Sequence, residues 1–275
     1  MKVGNIAIST AYVYPIVIMS ILIIVSSFIL GIFPYGVLVA VLVCVFAESL
    51  FRKAFHGKSW KPFSLSAIIT GLIIGGIAPQ NPPLLLVAFA GVIAIASKFV
   101  LKWKHVQIFN PAALGLLLAL AVFASSDVWW AETTYSIYGF AVSLAPFLIM
   151  ASWQMRRLPA SFAFVFGSLM LGFAGTGFPG TFSPASIIAV IFSINYMLAF
   201  LMLADPKTSP QPASHQIIYG IGIAVLIYLF SIYRIGYPIL VGLLAGNLLL
   251  AFYRIVLQKR TGWMHALLKA PMLTS

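Results

Sequence analysis

The stretch Leu201–Pro210, LMLADPKTSP, ends a long apolar run on a carboxylate, an ammonium and two hydroxyls set among two prolines. Asp205 is one of only four acidic residues in 275. Asp, Thr and Ser satisfy the free backbone groups of a helix end, or hold a ligand there. Pro206 and Pro210 block helix continuation, which leaves Asp205, Lys207, Thr208 and Ser209 to one task or the other. An ordinary polar turn between two apolar segments accounts for this stretch equally well. Glu48 is the only acid well inside an apolar run, and Lys98 is the matching cation. Such groups read as an ion pathway or as a structural pair, and near a span end they also snorkel to the interface.

Neutral polar groups complete the candidates. Asn110-Pro111 follows the basic loop Lys102–His105 and has the form of a capped helix start. The same amino terminus offers amide hydrogens to an anion or a flavin carbonyl. Asn247 lies in an apolar run and needs a partner, a ligand or another helix. Ser66 and Thr70 share one helical face, four residues apart.

The elements that position these groups are membrane spans. Hydrophobic residues are 62% of the chain and charged residues 7%, against roughly a quarter charged in soluble domains. The composition is that of an all-α polytopic membrane protein. About 20 apolar residues cross a bilayer, and ten runs of about that length, some at the short end, are expected: 12–30, 33–51, 63–79, 84–101, 110–125, 135–152, 159–175, 183–204, 215–232 and 236–256. The tail from 259 to 275 reads as a cytoplasmic, interfacial helix with Trp263 at headgroup level. The first run follows Lys2 without a cleavage site and is expected to be retained.

Charge orients these spans. With the amino terminus inside, every lysine and arginine except Arg234 falls on the cytoplasmic side, while Asp127 and Glu132 fall outside. That alternation gives a multi-pass protein of the plasma (inner) membrane with both termini cytoplasmic. The net charge of +12 is scattered over short loops rather than gathered in a stripe, which points away from nucleic acid. The single cysteine, Cys44, excludes a disulfide framework and a cysteine-ligated iron–sulfur cluster from this chain alone. The histidines sit in or beside polar loops, which argues against a membrane haem.

The chain also repeats itself. Phe63-Ser-Leu-Ser-Ala-Ile-Ile69 returns as Phe182-Ser-Pro-Ala-Ser-Ile-Ile188, and Pro111-Ala-Ala-Leu-Gly115-Leu-Leu as Pro238-Ile-Leu-Val-Gly242-Leu-Leu. These matches open the third and eighth, and the fifth and tenth, expected spans. Two five-span halves, 1–125 and 126–258, must then be inverted, because five is odd. Inverted repeats commonly enclose a site where short or broken helices meet.

Three stretches carry a family resemblance: Ser66-Ala-Ile-Ile-Thr-Gly71 leading to Ala78-Pro79, Phe109-Asn-Pro-Ala-Ala-Leu-Gly115, and Asp205-Pro-Lys-Thr-Ser-Pro210. In order and character they resemble the RnfD/NqrB family, membrane subunits of Rnf and sodium-pumping NADH:quinone oxidoreductase complexes. Ala204 stands where that family has Thr before Asp-Pro, and Ala47-Glu48 resembles its Phe-Glu. The resemblance implies a urea-transporter-like fold of two inverted five-helix repeats, a flavin at the membrane, and membrane-subunit partners in an electron transport complex. The family carries FMN covalently on the threonine of an S-G-A-T motif. This chain reads Ser125-Ser-Asp-Val-Trp-Trp-Ala-Glu-Thr-Thr134 there, so covalent FMN is not expected. A non-covalent riboflavin or FMN near Asn110 and Asp205 remains the expectation, with Lys207, Thr208, Ser209, Ser66, Thr70 and Asn247 as further contacts. The alternatives are a transporter or channel for a flavin or another small solute on the same scaffold, and a cofactor-free anchor.

Overall fold

The computed structural model describes residues 3–56, 64–103, 106–132, 140–175 and 183–269. Lys2, Lys58, Lys61, Phe63, Lys104, His105, Thr133, Thr134 and residues 176–182 lie outside the described residues. Helices start and stop where the residue types require. α1 (Val3–Leu30) ends at Gly31, whose φ of +63° is open to glycine, and the Gly31 and Ile32 amides close back on the Phe28 and Ser27 carbonyls. α2 (Tyr35–His56) follows Pro34, α3 (Leu65–Ile77) stops before Pro79, and α4 (Leu84–Val100) follows Pro83. The basic loop folds into an antiparallel pair, β1 (Lys102–Trp103) with β2 (Val106–Gln107), which the all-helical expectation did not include. Then come α5 (Pro111–Val122), α6 (Phe140–Gln154), α7 (Leu158–Gly175), α8 (Pro184–Ser193), a π-helical turn (Leu198–Met202), α9 (Ala213–Ile232) and α10 (Pro238–Lys269).

Among the described residues, six segments are long and apolar enough to cross a membrane: Tyr12–Leu30, Tyr35–Phe55, Leu158–Gly175, Ala185–Met202, Ala213–Ile232 and Pro238–Val256. Three shorter apolar helices, α3, α4 and α5, pack among them. The protein is therefore of the helical, multi-pass membrane type. Large apolar side chains such as Phe28, Leu42, Leu85, Val122, Ile218 and Phe252 point outward, where an aqueous surface would be polar. Small residues let the buried backbones meet. A side chain at Gly71 or Gly75 on α3 would lie 2.5 Å from the backbone of Val41 or Val37 on α2. One at Gly115 on α5 would lie 2.3 Å from the Ala90 carbonyl oxygen of α4.

Three details correct the sequence reading. The run 183–204 is not one straight helix. It breaks at Ile194–Asn195, because the Asn195 side chain takes the Leu198 amide at 2.6 Å and restarts the helix as a cap. The segment after α5 is not a plain outer loop either. Trp129, Trp130 and Ala131 are buried, the Val128 and Trp129 amides donate to the Ile77 carbonyl at the end of α3, and the Trp130 indole donates to the Gly75 carbonyl at 2.9 Å. Finally, the tail does not begin a new helix at 259, since α10 continues unbroken to Lys269.

Candidate functional site

The three separated motif stretches converge on one cleft. Ser66, Thr70, Ile69 and Ile73 of α3 form one wall, and Asn110, Pro111 and Ala112 at the start of α5 form another. Leu201 and Asp205–Lys207 close it from the second half of the chain, with Tyr12, Lys98, Gln107 and Met155 at the edges. Its cavity volume is about 50 Å³, well below the roughly 300–1,000 Å³ of small-molecule and cofactor pockets. An adjoining recess shares Ser66, Lys98, Gln107 and Lys207 and adds Glu48, Arg52 and Phe99.

Glu48 and Lys98 form a buried ion pair, Nζ to Oε2 at 3.2 Å, from α4 to α2. Lys98 also donates to the Ser66 hydroxyl at 3.1 Å and the Ser66 carbonyl at 3.2 Å. The other oxygen of Glu48 accepts from Arg52 Nη2 at 2.5 Å and from the Ser64 hydroxyl at 2.6 Å. Both carboxylate oxygens and the ammonium are thus engaged inside the protein. The cluster ties α2, α3 and α4 together beside the cleft and fixes a positive charge at its edge.

Asn110 acts as a joint. Its side-chain oxygen caps α5 through the Ala113 amide at 3.1 Å, its Nδ2 donates to the Met202 carbonyl at 3.2 Å, and its own amide donates to Asn247 Oδ1 at 2.9 Å. Asn247 Nδ2 in turn donates to the Tyr219 hydroxyl at 2.6 Å. This chain links α5 to the π-helical turn, α10 and α9. Asn110 contributes to the cleft wall while its donors are spent on protein, and Asn247 sits behind it.

The Asp205–Pro210 turn is held from beneath. Asp205 Oδ1 accepts the Lys207 amide at 3.0 Å, and the Asp205 carbonyl accepts the Thr208 and Ser209 amides and the Ser209 hydroxyl. Buried Arg157 donates to Ser209 Oγ at 2.6 Å, and Arg254 donates to the Ser209 carbonyl at 2.8 Å. Burial pushes the Arg157 guanidinium below its ordinary value, Asp205 works against that and Arg254 adds to it. An arginine starts high enough to stay charged. Thr208 and Ser209 are buried in this support and do not line the cleft, and Thr208 Oγ1 finds no partner among the described residues. Lys207 does line it, with its ammonium 5.9 Å from the centre of the Tyr12 ring.

The structure therefore gathers Ser66, Thr70, Lys98, Asn110, Asp205 and Lys207 at the cleft and Glu48 beside it. Asn247, Thr208 and Ser209 stand behind. Sequence reasoning missed Arg157, whose only signal was an arginine directly before the Leu158-Pro159 helix start, and Tyr12, Gln107 and Met155, which carried none. Ile69, Ile73, Leu201 and Met155 give the cleft apolar walls, with an ammonium at one end and a carboxylate nearby, a polarity that matches the polar or anionic end of an otherwise apolar ligand. A flavin has that polarity, but its ring system is larger than the cavity, so seating one requires the cleft to widen. No protein-family model and no curated protein matches this chain.

Proposed function

We propose that the protein is an RnfD/NqrB-like membrane subunit of an electron transport complex, holding a non-covalent flavin, riboflavin or FMN, in the cleft between α3, α5 and the Asp205 turn. One observation carries this reading: the three stretches that resemble the family, far apart in the sequence, line the same cleft. A bound flavin supplies one- and two-electron redox chemistry. The chain supplies the seat. Ile69, Ile73 and Leu201 wall off water, Lys207 meets an anionic or carbonyl end, and Thr70 and Asp205 offer acceptors. The buried Glu48–Lys98 pair holds α3 against α2 and α4 so that this wall keeps its shape.

Within this reading the chain crosses the plasma membrane ten times, as two inverted halves with both termini inside. Matching glycine contacts support the pairing of halves: Gly115 packs α5 on α4, and Gly242 packs α10 on Ile227 of α9. The supporting experiment is optical. Purified protein carries a yellow chromophore that bleaches with dithionite, leaves with denaturant rather than staying on the polypeptide, and falls severalfold in Lys207→Ala. A colourless protein that neither takes up added FMN nor riboflavin refutes the reading.

A second reading, transport of a flavin or similar solute, draws on the missing S-G-A-T threonine and on a cleft at the junction of the proposed halves. Uptake of riboflavin into vesicles containing this chain alone distinguishes it from the electron-transport subunit.

A further inference from the structure

Glu132 is not used by the cleft, and its surroundings are unlike those of the other membrane acid. It ends the segment Val128–Glu132, buried at Trp129, Trp130 and Ala131, which runs between the carboxyl end of α3 and the restarted helix after Asn195. Glu132 Oε1 accepts the Tyr196 amide in a short hydrogen bond and faces the Met197 amide. Oε2 is sealed from solvent and has no partner among the described residues, although other atoms of Glu132 are partly exposed.

The packing around the segment is apolar. Met19 of α1, Met197 and the open face of Gly76 on α3 close on Ala131, whose carbonyl takes the Ser26 hydroxyl of α1 at 3.2 Å. The titratable groups nearby are occupied elsewhere: the Tyr196 hydroxyl donates to the Ile191 carbonyl at 2.9 Å, and Asp127 accepts the Trp129 indole at 2.7 Å. Among the described residues no lysine, arginine or histidine pairs with Glu132, whereas Glu48 has cations on both oxygens. An ionised carboxylate with one oxygen stranded in such a place is far costlier than a neutral acid stranded the same way. The two amides on Oε1 serve the neutral form as well, because its carbonyl oxygen accepts them.

We propose that Glu132 is a proton-binding site, protonated on Oε2 while the segment is seated between the carboxyl end of α3 and the restarted helix after Asn195. Its proton leaves when the carboxyl reaches water. This places a proton carrier between the end of α3 and the helix break at Asn195, on a different part of the protein from the cleft, and it stands whether or not a flavin binds there. The ligand is a proton rather than a metal ion, which would need several unengaged oxygens around Oε2.

Infrared spectroscopy of the full chain in lipid vesicles tests it. The protein has two glutamates, Glu48 and Glu132, so glutamate labelled with carbon-13 at the side-chain carboxyl assigns the signal without mutation. The expected result at neutral pH is one isotope-sensitive carbonyl stretch of a protonated carboxylic acid, above the amide region, lost on alkalinisation. It persists in Glu48→Gln and disappears in Glu132→Gln, or in labelled Glu132→Asp if the glutamine variant does not fold. Absence of an isotope-sensitive band at neutral pH, its loss in Glu48→Gln, or its loss on adding sodium at constant pH overturns the proposal.

Discussion

Replacing Lys98 by methionine keeps the length and apolar stem of the side chain and deletes its ammonium. Three interactions go with it, to Glu48 Oε2, the Ser66 hydroxyl and the Ser66 carbonyl. Both partners of the ion pair are buried, with side chains 7% and 5% exposed, so water cannot replace what is lost. Breaking a buried pair from one side costs about 3–5 kcal/mol. Arg52 and Ser64 still hold the other oxygen of Glu48, which places the loss near the lower end, about 3 kcal/mol. Glu48→Gln leaves Lys98 on Ser66 and lets Arg52, 40% exposed, turn to solvent, for a loss of about 2 kcal/mol. The double variant has neither charge to strand. It should be less destabilised than the sum of the two, with a coupling of about 2 kcal/mol, as contacting residues show. Unfolding in mixed micelles, or the ranking of thermal midpoints if unfolding is irreversible, measures the cycle. Additive losses, or a Lys98→Met variant as stable as the wild type, would falsify the claim that this pair fastens α2, α3 and α4.

Two contrasts follow from the site. Asn110→Ala removes a helix cap, about 1 kcal/mol, and an interhelical hydrogen bond, about 0.6 kcal/mol, and strands the Met202 carbonyl, so a total near 2 kcal/mol is expected together with lost flavin. Lys207→Ala changes stability by under about 1 kcal/mol, since only its contact with Tyr12 is lost, yet lowers flavin content severalfold; equal thermal midpoints with unequal absorbance confirm the difference. On a Cys44→Ala background, Gln211→Cys and Arg234→Cys, both at exposed positions, should react with a membrane-impermeant thiol reagent from the cytoplasmic and outer faces respectively, and labelling of both from one face contradicts the assigned orientation.

Apolar run lengths and helix-breaking residues made most of the helices readable, because a bilayer leaves a chain few other ways to satisfy its backbone. Glu48 and Lys98 were legible as a matching carboxylate and ammonium, open between an ion pathway and a structural pair, but they lie 50 residues apart and nothing local showed that Lys98 also holds Ser66. Asn110 read correctly as a cap, while its hold on Met202 and Asn247 depends on helices distant in sequence. The break at Asn195 had a signal, an asparagine inside an apolar run, that hydropathy averaging conceals. The buried residues Trp129, Trp130 and Ala131 had one too, an apolar run in an otherwise polar loop, which a count of loop charges passes over. Both misses have the same origin. Irregular backbone survives at membrane depth only where other protein groups satisfy it, and those groups are supplied by tertiary contacts.

The recurring Phe-Ser stretch does different work at its two positions. Ser183 opens α8 with a reciprocal capping box, its hydroxyl taking the Ser186 amide and the Ser186 hydroxyl taking its own. Ser64, at the matching place before α3, makes no side-chain cap and gives its hydroxyl to Glu48 instead. The repeated Pro-x-x-x-Gly motif has kept its task in both positions, since Gly115 and Gly242 each admit the preceding helix. What the two occurrences of that motif share is a close-packing position, which tolerates little change. The two Phe-Ser stretches differ at Ser64, whose tie to Glu48 and so to Lys98 lies beside the cleft. The place where Ser64 leaves capping for Glu48 and the place where the three motif stretches converge are neighbours, since Glu48 lies in the recess that adjoins the cleft.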